Sequence, residues 1–276
     1  MIQTLSKARE AVEKAQAVLI TAGAGMGVDS GLPDFRSNNG FWRAYPQIAK
    51  LGKSFEQMAT PQWFQTDPHL AWAFYGHRLN LYRATTPHLG FGQLLELGET
   101  KAGGYFVFTS NVDGQFQKAG YAADQVYECH GSIHHLQCAQ PCCQEIWPAE
   151  RTEVKVEPEH FVALDPLPQC PHCRGIARPN ILMFDDWNWL AARSNEQASR
   201  LSGWLAEIRQ QRYSLVIIES GAGMAIPSVR HFSESTAVAH QALLIRINPL
   251  DHLASPSGLS LPLGAAEGIR RILGQE

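Results

Sequence analysis

No run in this 276-residue chain approaches the roughly 20 apolar residues that a bilayer-spanning helix needs, so no transmembrane segment is expected. An excess of positive charge is also missing. Lysine and arginine number 23 against 26 aspartates and glutamates, a formal net charge of −3. That balance leaves no electrostatic footprint for nucleic acid or an anionic membrane and is compatible with a basic protein partner. The first twenty residues lack a signal-peptide core, because Lys7, Arg9, Glu10, Glu13 and Lys14 interrupt each apolar stretch; a cytoplasmic location is the expectation. Internal repeats and low-complexity segments are absent. Cysteine is sparse, at six, and in a reducing compartment such thiols point to metal or redox chemistry ahead of structural disulfides. The length permits one large domain or a large and a small one, and 45% hydrophobic residues suffice for a core. Oligomeric state is not legible.

What the chain does have, over residues 18–36, is an apolar run that breaks into glycines and ends in a charged loop. Ala17 to Ile20 predict a buried strand, since small and β-branched residues without polar alternation suit a parallel strand covered on both faces. Gly23, Gly25 and Gly27 follow, where the backbone can turn sharply and approach a ligand with no Cβ in the way. A strand entering such a turn is the usual opening of a dinucleotide site, with amide groups meeting a pyrophosphate. A plain tight turn is the alternative. Pro33, Asp34, Phe35 and Arg36 then supply a rigid ring, an anion, an aromatic and a guanidinium. Residues 37–62, rich in glycine, proline and aromatics without a sustained period, predict a loop able to close over a ligand. Residues 67–83 open with an Asp-Pro pair and predict a helix with Leu70, Phe74 and Leu81 on one face. A second helix from Pro87 through Leu97, and strands from Tyr105, Ser214 and Leu243, fit a parallel α/β sheet with crossover connections.

Residues 109–120 leave their strand at its carboxyl end, where ligands bind in open α/β sheets. Asn111 and Asp113 there can hydrogen-bond ribose hydroxyls and an amide, the groups a nicotinamide riboside presents; ordinary turn residues are the alternative. His130 is the candidate for proton transfer, because imidazole titrates near neutrality. Cys138 with Cys142 or Cys143, and Cys170 with Cys173, form two knuckles that fit a closed, four-sulfur, structural zinc site. Pro141 fixes the turn before Cys142, which favours it over Cys143. Residues 147–169 carry Glu150, Glu153, Glu157 and Glu159 and predict a polar insertion with a solvated face.

Three of these segments together resemble the sirtuins, the NAD-dependent protein deacylases. The family pattern G-A-G-x-S-x-x-S-G-I-P-D-F-R runs alongside residues 23–36, with Gly27 replacing its first serine. The pattern T-Q-N-[IV]-D-x-L-H-x-x-A-G runs alongside residues 109–120 and retains Asn111, Asp113, Ala119 and Gly120, with Ser110 for the glutamine and Gln115-Phe116 for Leu-His. V-x-E-x-H-G-S matches residues 126–132 throughout. Residues 178–186 resemble R-P-x-V-V-x-F-G-E, with Asp185-Asp186 in place of Gly-Glu. Residues 219–227 resemble I-G-T-S-L-x-V-x-P in either of two registers.

The resemblance, running from about Ala17 to Ile272, implies a Rossmann-like parallel sheet with helices on both faces plus a small zinc-binding domain. The main domain would comprise residues 1–36, 84–133 and 177–276, a helical cofactor-loop module residues 37–83 and the zinc module residues 134–176. NAD would be held by Gly23, Ala24, Gly25, Asp34, Phe35, Arg36, Ser110, Asn111, Asp113, Gly221, Ala222, Asn248 and Ala265. His130, with Asn111 and Asp113, would carry catalysis. Zinc would sit on Cys138, Cys142, Cys170 and Cys173, since bacterial sirtuins place a ligand after proline. An acylated-lysine protein would lie along Phe184, Asp185 and Trp187. Tyr75 and Arg78, at i and i+3, resemble the pair by which one sirtuin class reads acidic acyl groups such as succinyl; an exposed arginine on an amphipathic helix is the alternative. The implied activity is a deacylase, deacetylating or desuccinylating, that releases nicotinamide and O-acyl-ADP-ribose. The alternatives are an NAD hydrolase, a protein ADP-ribosyltransferase and a non-catalytic NAD- and zinc-binding module.

Overall fold

The computed structural model describes residues 1–33, 38–255 and 257–275. Its strands in chain order are β1 (Ala17–Ala22), β2 (Tyr105–Thr109), β3 (Val126–Glu128), β4 (Gly131–Cys138), β5 (Trp147–Pro148), β6 (Val156–Glu157), β7 (Val162–Ala163), β8 (Ala177–Ile181), β9 (Leu215–Ser220), β10 (Leu243–Ile247) and β11 (Leu259–Leu261). The helices are α1 (Ile2–Lys14), α2 (Asn38–Ala44), α3 (Pro46–Lys50), α4 (Phe55–Met58), α5 (Trp63–Thr66), α6 (Pro68–Ala84), α7 (Leu89–Glu99), α8 (Gln115–Lys118), α9 (Ala192–Gln210), α10 (Ser228–His240) and α11 (Ala265–Ile272).

Six strands form one parallel sheet in the order β11-β10-β9-β1-β2-β3. The chain moves outward from β1 to β3, then returns to β9 on the other side of β1 and moves outward again. The order therefore reverses between β1 and β9, and the crevice outside the carboxyl ends at such a switch point is where open sheets bind ligands. Every residue of β1, β2 and β9 is buried, as the apolar residues that fill most of each strand require; the buried Glu219 near the end of β9 is paired with Arg246. Val18 and Ile20 pack with Val12, Leu94 and Ile269 on one face, while Leu19 and Ile217 pack with Leu201, Ile208 and Val229 on the other. The expected Rossmann-like sheet with helices on both faces is present.

A second lobe is built on the antiparallel sheet β5-β4-β8 and the β6-β7 hairpin. Its core joins Phe41, Tyr45 and Ile48 to Trp72, Phe74, Leu136 and Phe161. The stretch 37–62 differs from expectation: from Asn38 onward it contains α2, α3 and α4 instead of a single loop. Pro46 opens α3, and Ser54 with Gln57 closes a capping box on α4. Helices of four to seven residues are too short for a hydrophobic period to show. The insertion after β5 is solvated at Glu150, Glu153 and Glu159 but buries Val154, Phe161, Ala163 and Leu167 in this same core. The stretches from Phe41 to Tyr82 and from Leu136 to Leu167 thus contribute to one hydrophobic core.

The helix α6 also departs from its predicted face. Leu70 and Leu81 are only half-buried, whereas Phe74, Tyr75, Arg78, Leu79 and Tyr82 are buried. The insertion lies against it so closely that a Cβ at Gly76 would stand 2.3 Å from Val154 Cγ1. A helix covered on more than one side has no single apolar stripe. Among the described residues, no helix is long and apolar enough to cross a membrane.

Candidate functional site

The turn after β1 is a 3₁₀ helix, Ala24–Ser30, with Gly23 at its N-cap. It is locked to the turn after β9. The Gly23 N–H donates to Ser220 O and the Gly25 N–H to Gly221 O, each at 3.0 Å. A Cβ on Gly23 would stand 2.8 Å from Ala222 Cα, and one on Gly221 would stand 2.2 Å from Met26 N. Gly221 also has φ +65°, where a side chain is strained. The close approach of two backbones therefore accounts for both glycines before any ligand is considered.

Beside these turns, at the carboxyl edge of the sheet, lies a cavity of about 340 Å³. Gly23, Ala24, Ser110, Asn111, Asp113, His130 and Ala222 line it from the sheet side; Tyr75, Arg78 and Tyr82 line it from α6. Asn111 is oriented by its own Nδ2, which donates to Gly23 O at 3.0 Å, and by its backbone N–H, which donates to Thr109 Oγ1 at 3.0 Å. The Asp113 carboxylate accepts from the Gln115 N–H at 2.9 Å. Burial pushes its pKa up to about 6, and the nearby Glu128 charge acts in the same direction.

His130 follows β3 and lies within 3.4 Å of Ser228 Oγ through Nε2. Burial lowers its pKa below the usual imidazole value, against a smaller opposing effect from the Ser110 backbone. The next residue, Gly131, has φ +77°, and a Cβ there would meet Asn180 O at 2.1 Å. Leu182 N–H donates to His130 O at 2.9 Å, which ties the histidine to the Ile181–Phe184 wall of the cavity.

Tyr75 and Arg78 both line the cavity and both are buried, so the exposed-arginine alternative fails. Arg78 donates from Nε and Nη2 to Tyr82 Oη at 3.1 and 3.0 Å, and its guanidinium lies 5.6 Å from the Tyr75 ring centre.

Other predicted site residues are distributed more widely. Phe184 lines the cavity, whereas Asp185 and Trp187 lie outside its lining and face solvent. Gly25 and Gly221 serve the turn-to-turn contact instead of the lining. Asn248 is fully buried, its Nδ2 donating to Ala222 O at 2.9 Å and its Oδ1 accepting from Leu250 and Asp251, so its polar atoms hold loops. Ala265 is buried at the start of α11, away from the cavity lining. Asp34, Phe35 and Arg36 lie outside the described residues. Sequence reasoning missed Ser228 and Tyr82. For Ser228 a signal existed, a serine just after Pro227 and the glycine-rich turn; Tyr82 was hidden as one more aromatic on a helix.

In the second lobe Cys138, Cys142, Cys170 and Cys173 bring their sulfurs within 4.8 Å of one another. Cys138 and Cys173 are 3.7 Å apart, and Cys142 and Cys170 are 3.6 Å apart. Tetrahedral zinc bonds of about 2.3 Å separate sulfurs by roughly 3.8 Å, close to both of these distances, so the donor set suits zinc. Cys143 lies outside this group.

Residues 23–198 match the model of the Sir2 family. An NAD-dependent protein deacylase of Thermus thermophilus is 29% identical, over 99% of this chain and 95% of its own length. One from Thermococcus kodakarensis is 30% identical over 81% of this chain and 77% of its own. A solved Sir2 homolog–NAD complex superposes with a TM-score of 0.71 at 22% identity, covering 98% of this chain and 92% of that one. With the family match running from the first glycine turn past the four cysteines, through more than half of the sequence, the chain belongs to the Sir2 family.

Proposed function

We propose that this chain is an NAD-dependent protein-lysine deacylase that releases nicotinamide and O-acyl-ADP-ribose. The observation that carries the proposal is the convergence of Asn111, Asp113 and His130 with the Gly23 and Ala222 turns on one cavity at the sheet's switch point. Bound NAD would supply an electrophilic ribose carbon bearing a good leaving group. Asn111, held by Gly23 O, and Asp113 would orient the ribose and the nicotinamide amide through hydrogen bonds. His130, neutral at pH 7 because burial lowers its pKa, would accept a proton from a ribose hydroxyl. Leu32, Phe55, Ile181 and Val229 would exclude water from the reacting end. Zinc on Cys138, Cys142, Cys170 and Cys173 would be structural, since four thiolates leave no open position. An acylated-lysine protein is the proposed partner.

The buried Arg78 supports a finer reading in which acidic acyl groups are preferred. A cation at the cavity wall suits a carboxylate at the far end of a succinyl chain, with the Tyr82 hydroxyl bonded to the guanidinium and the Tyr75 ring beside it.

Mass spectrometry of the NAD-derived products, with and without acetyl-lysine and succinyl-lysine peptides, tests the proposal. O-acyl-ADP-ribose that forms only with peptide is expected. His130→Ala should lower its rate by about 10²- to 10⁴-fold while NAD affinity changes little. Free ADP-ribose without peptide would indicate a hydrolase instead, and modified protein a transferase.

A further inference from the structure

Cys142 and Cys143 are adjacent, yet they belong to different groups. The Cys143 thiol, a Glu145 carboxylate oxygen and a His172 imidazole nitrogen form a second set within 4.8 Å of one another. His172 Nε2 and Glu145 Oε2 are in direct contact. Both side chains are about half exposed, at 52% and 48%, and Cys143 is half-buried. One member follows Cys142 and another precedes Cys173, so closing the four-sulfur site brings the second set together from both flanks.

A thiolate, an imidazole and a carboxylate are the three donor types that zinc accepts, and three protein ligands with a fourth position open to water make an accessible site. We propose that Cys143, Glu145 and His172 form a second, solvent-accessible zinc site on the flank of the four-sulfur one. It rests on the zinc reading of the four-sulfur cluster only in that closure of that cluster assembles it. Bonds of about 2.0–2.3 Å place tetrahedral donors roughly 3.3–3.7 Å apart. Binding therefore opens the His172–Glu145 contact, a movement that these half-exposed side chains can make by changing rotamer. With one thiolate and an open position, this site is weaker and faster to exchange than its four-thiolate neighbour.

The test is a zinc titration of the metal-depleted full-length chain against a chromophoric chelator, repeated with cobalt to read thiolate-to-metal absorption. Wild type should take two equivalents, one tight and one weaker, with the second adding a single-thiolate cobalt band. Cys143→Ser and His172→Ala should each lose the second equivalent and keep the first, which also verifies that the lobe has folded. Saturation of wild type at one equivalent, or a second equivalent indifferent to both substitutions, overturns the second site and leaves the four-sulfur reading intact. Failure to take any tight equivalent overturns the four-sulfur reading itself, and the second site with it.

Discussion

Arg178 and Asp186 form a bidentate ion pair with both side chains fully buried, Nη1 lying 2.7 Å from Oδ2 and Nη2 2.9 Å from Oδ1. Asp186 also accepts from the Met183 and Asn188 N–H groups, so the pair clamps β8 to the chain that walls the cavity at Ile181–Phe184. Removing the carboxylate would strand a guanidinium out of water. Asp186→Ala is expected to destabilise the fold by about 3–5 kcal/mol in urea unfolding, the usual cost of breaking a buried pair. A loss below about 1 kcal/mol would mean that water enters and solvates Arg178.

Asp113 sets a stability that depends on pH. Its folded pKa of about 6 lies above the unfolded value of about 3.9, so the native state binds the proton more tightly. The contribution is fully present below about pH 4 and is lost as pH rises through about 6. Asp113→Asn should accordingly be more stable than wild type at pH 8, by about 1–3 kcal/mol, with the gap closing toward pH 4. The same variant should lose activity, since it exchanges an acceptor in the cavity for a donor. Denaturant midpoints at the two pH values check the first half; equal gaps at both would assign the stability change to something other than this proton.

Arg78→Met keeps the bulk of the buried side chain and removes its charge. The desuccinylation kcat/KM should fall by about 10²-fold, and the acetyl reaction should stay within about threefold, in line with a charged bidentate contact worth about 1.5–3 kcal/mol. Equal losses on both peptides would give Arg78 a packing role through its contacts with Tyr82 and Phe74.

The three glycines near the first turn should not respond alike. Gly221→Ala meets backbone at 2.2 Å in a positive-φ conformation, and Gly23→Ala meets backbone at 2.8 Å, so both should destabilise by several kcal/mol. Gly27→Ser meets the Leu32 side chain, most closely Cδ1 at 2.9 Å at its flexible end, and should cost about 1 kcal/mol. Leu32 lines the cavity, so its displacement should appear as a modest change in NAD affinity by calorimetry. A larger loss of stability for Gly27→Ser than for Gly221→Ala would reverse this ranking.

The main sheet was legible because β1, β2 and β9 are buried on both faces, and each opens with four apolar residues in a row. Spacing alone made two cysteine knuckles legible, while preferring Cys142 to Cys143 drew on Pro141 and the family resemblance. The second lobe was less legible. Its helices α2 to α5 span four to seven residues each, below the length at which periodicity can be measured. The insertion hides Val154, Phe161, Ala163 and Leu167 at irregular intervals among charges that do face water. Arg78 illustrates a different gap. Hydrophobic periodicity counts arginine as solvated, and only a tertiary cavity explains why this one is not.

The interlock of Gly23 with Ala222 also bears on how the chain acquires its site. The two turns are about 200 residues apart in sequence, and each supplies backbone that the other needs. Contacts of that separation are entropically costly and form late. An intermediate that has ordered only β1 to β3 would own Asn111, Asp113 and His130 but lack the Ala222 turn that completes the lining. Competence to bind should therefore emerge in the last stage of folding, once β9 inserts beside β1, and a bound ligand should slow unfolding more than it speeds folding.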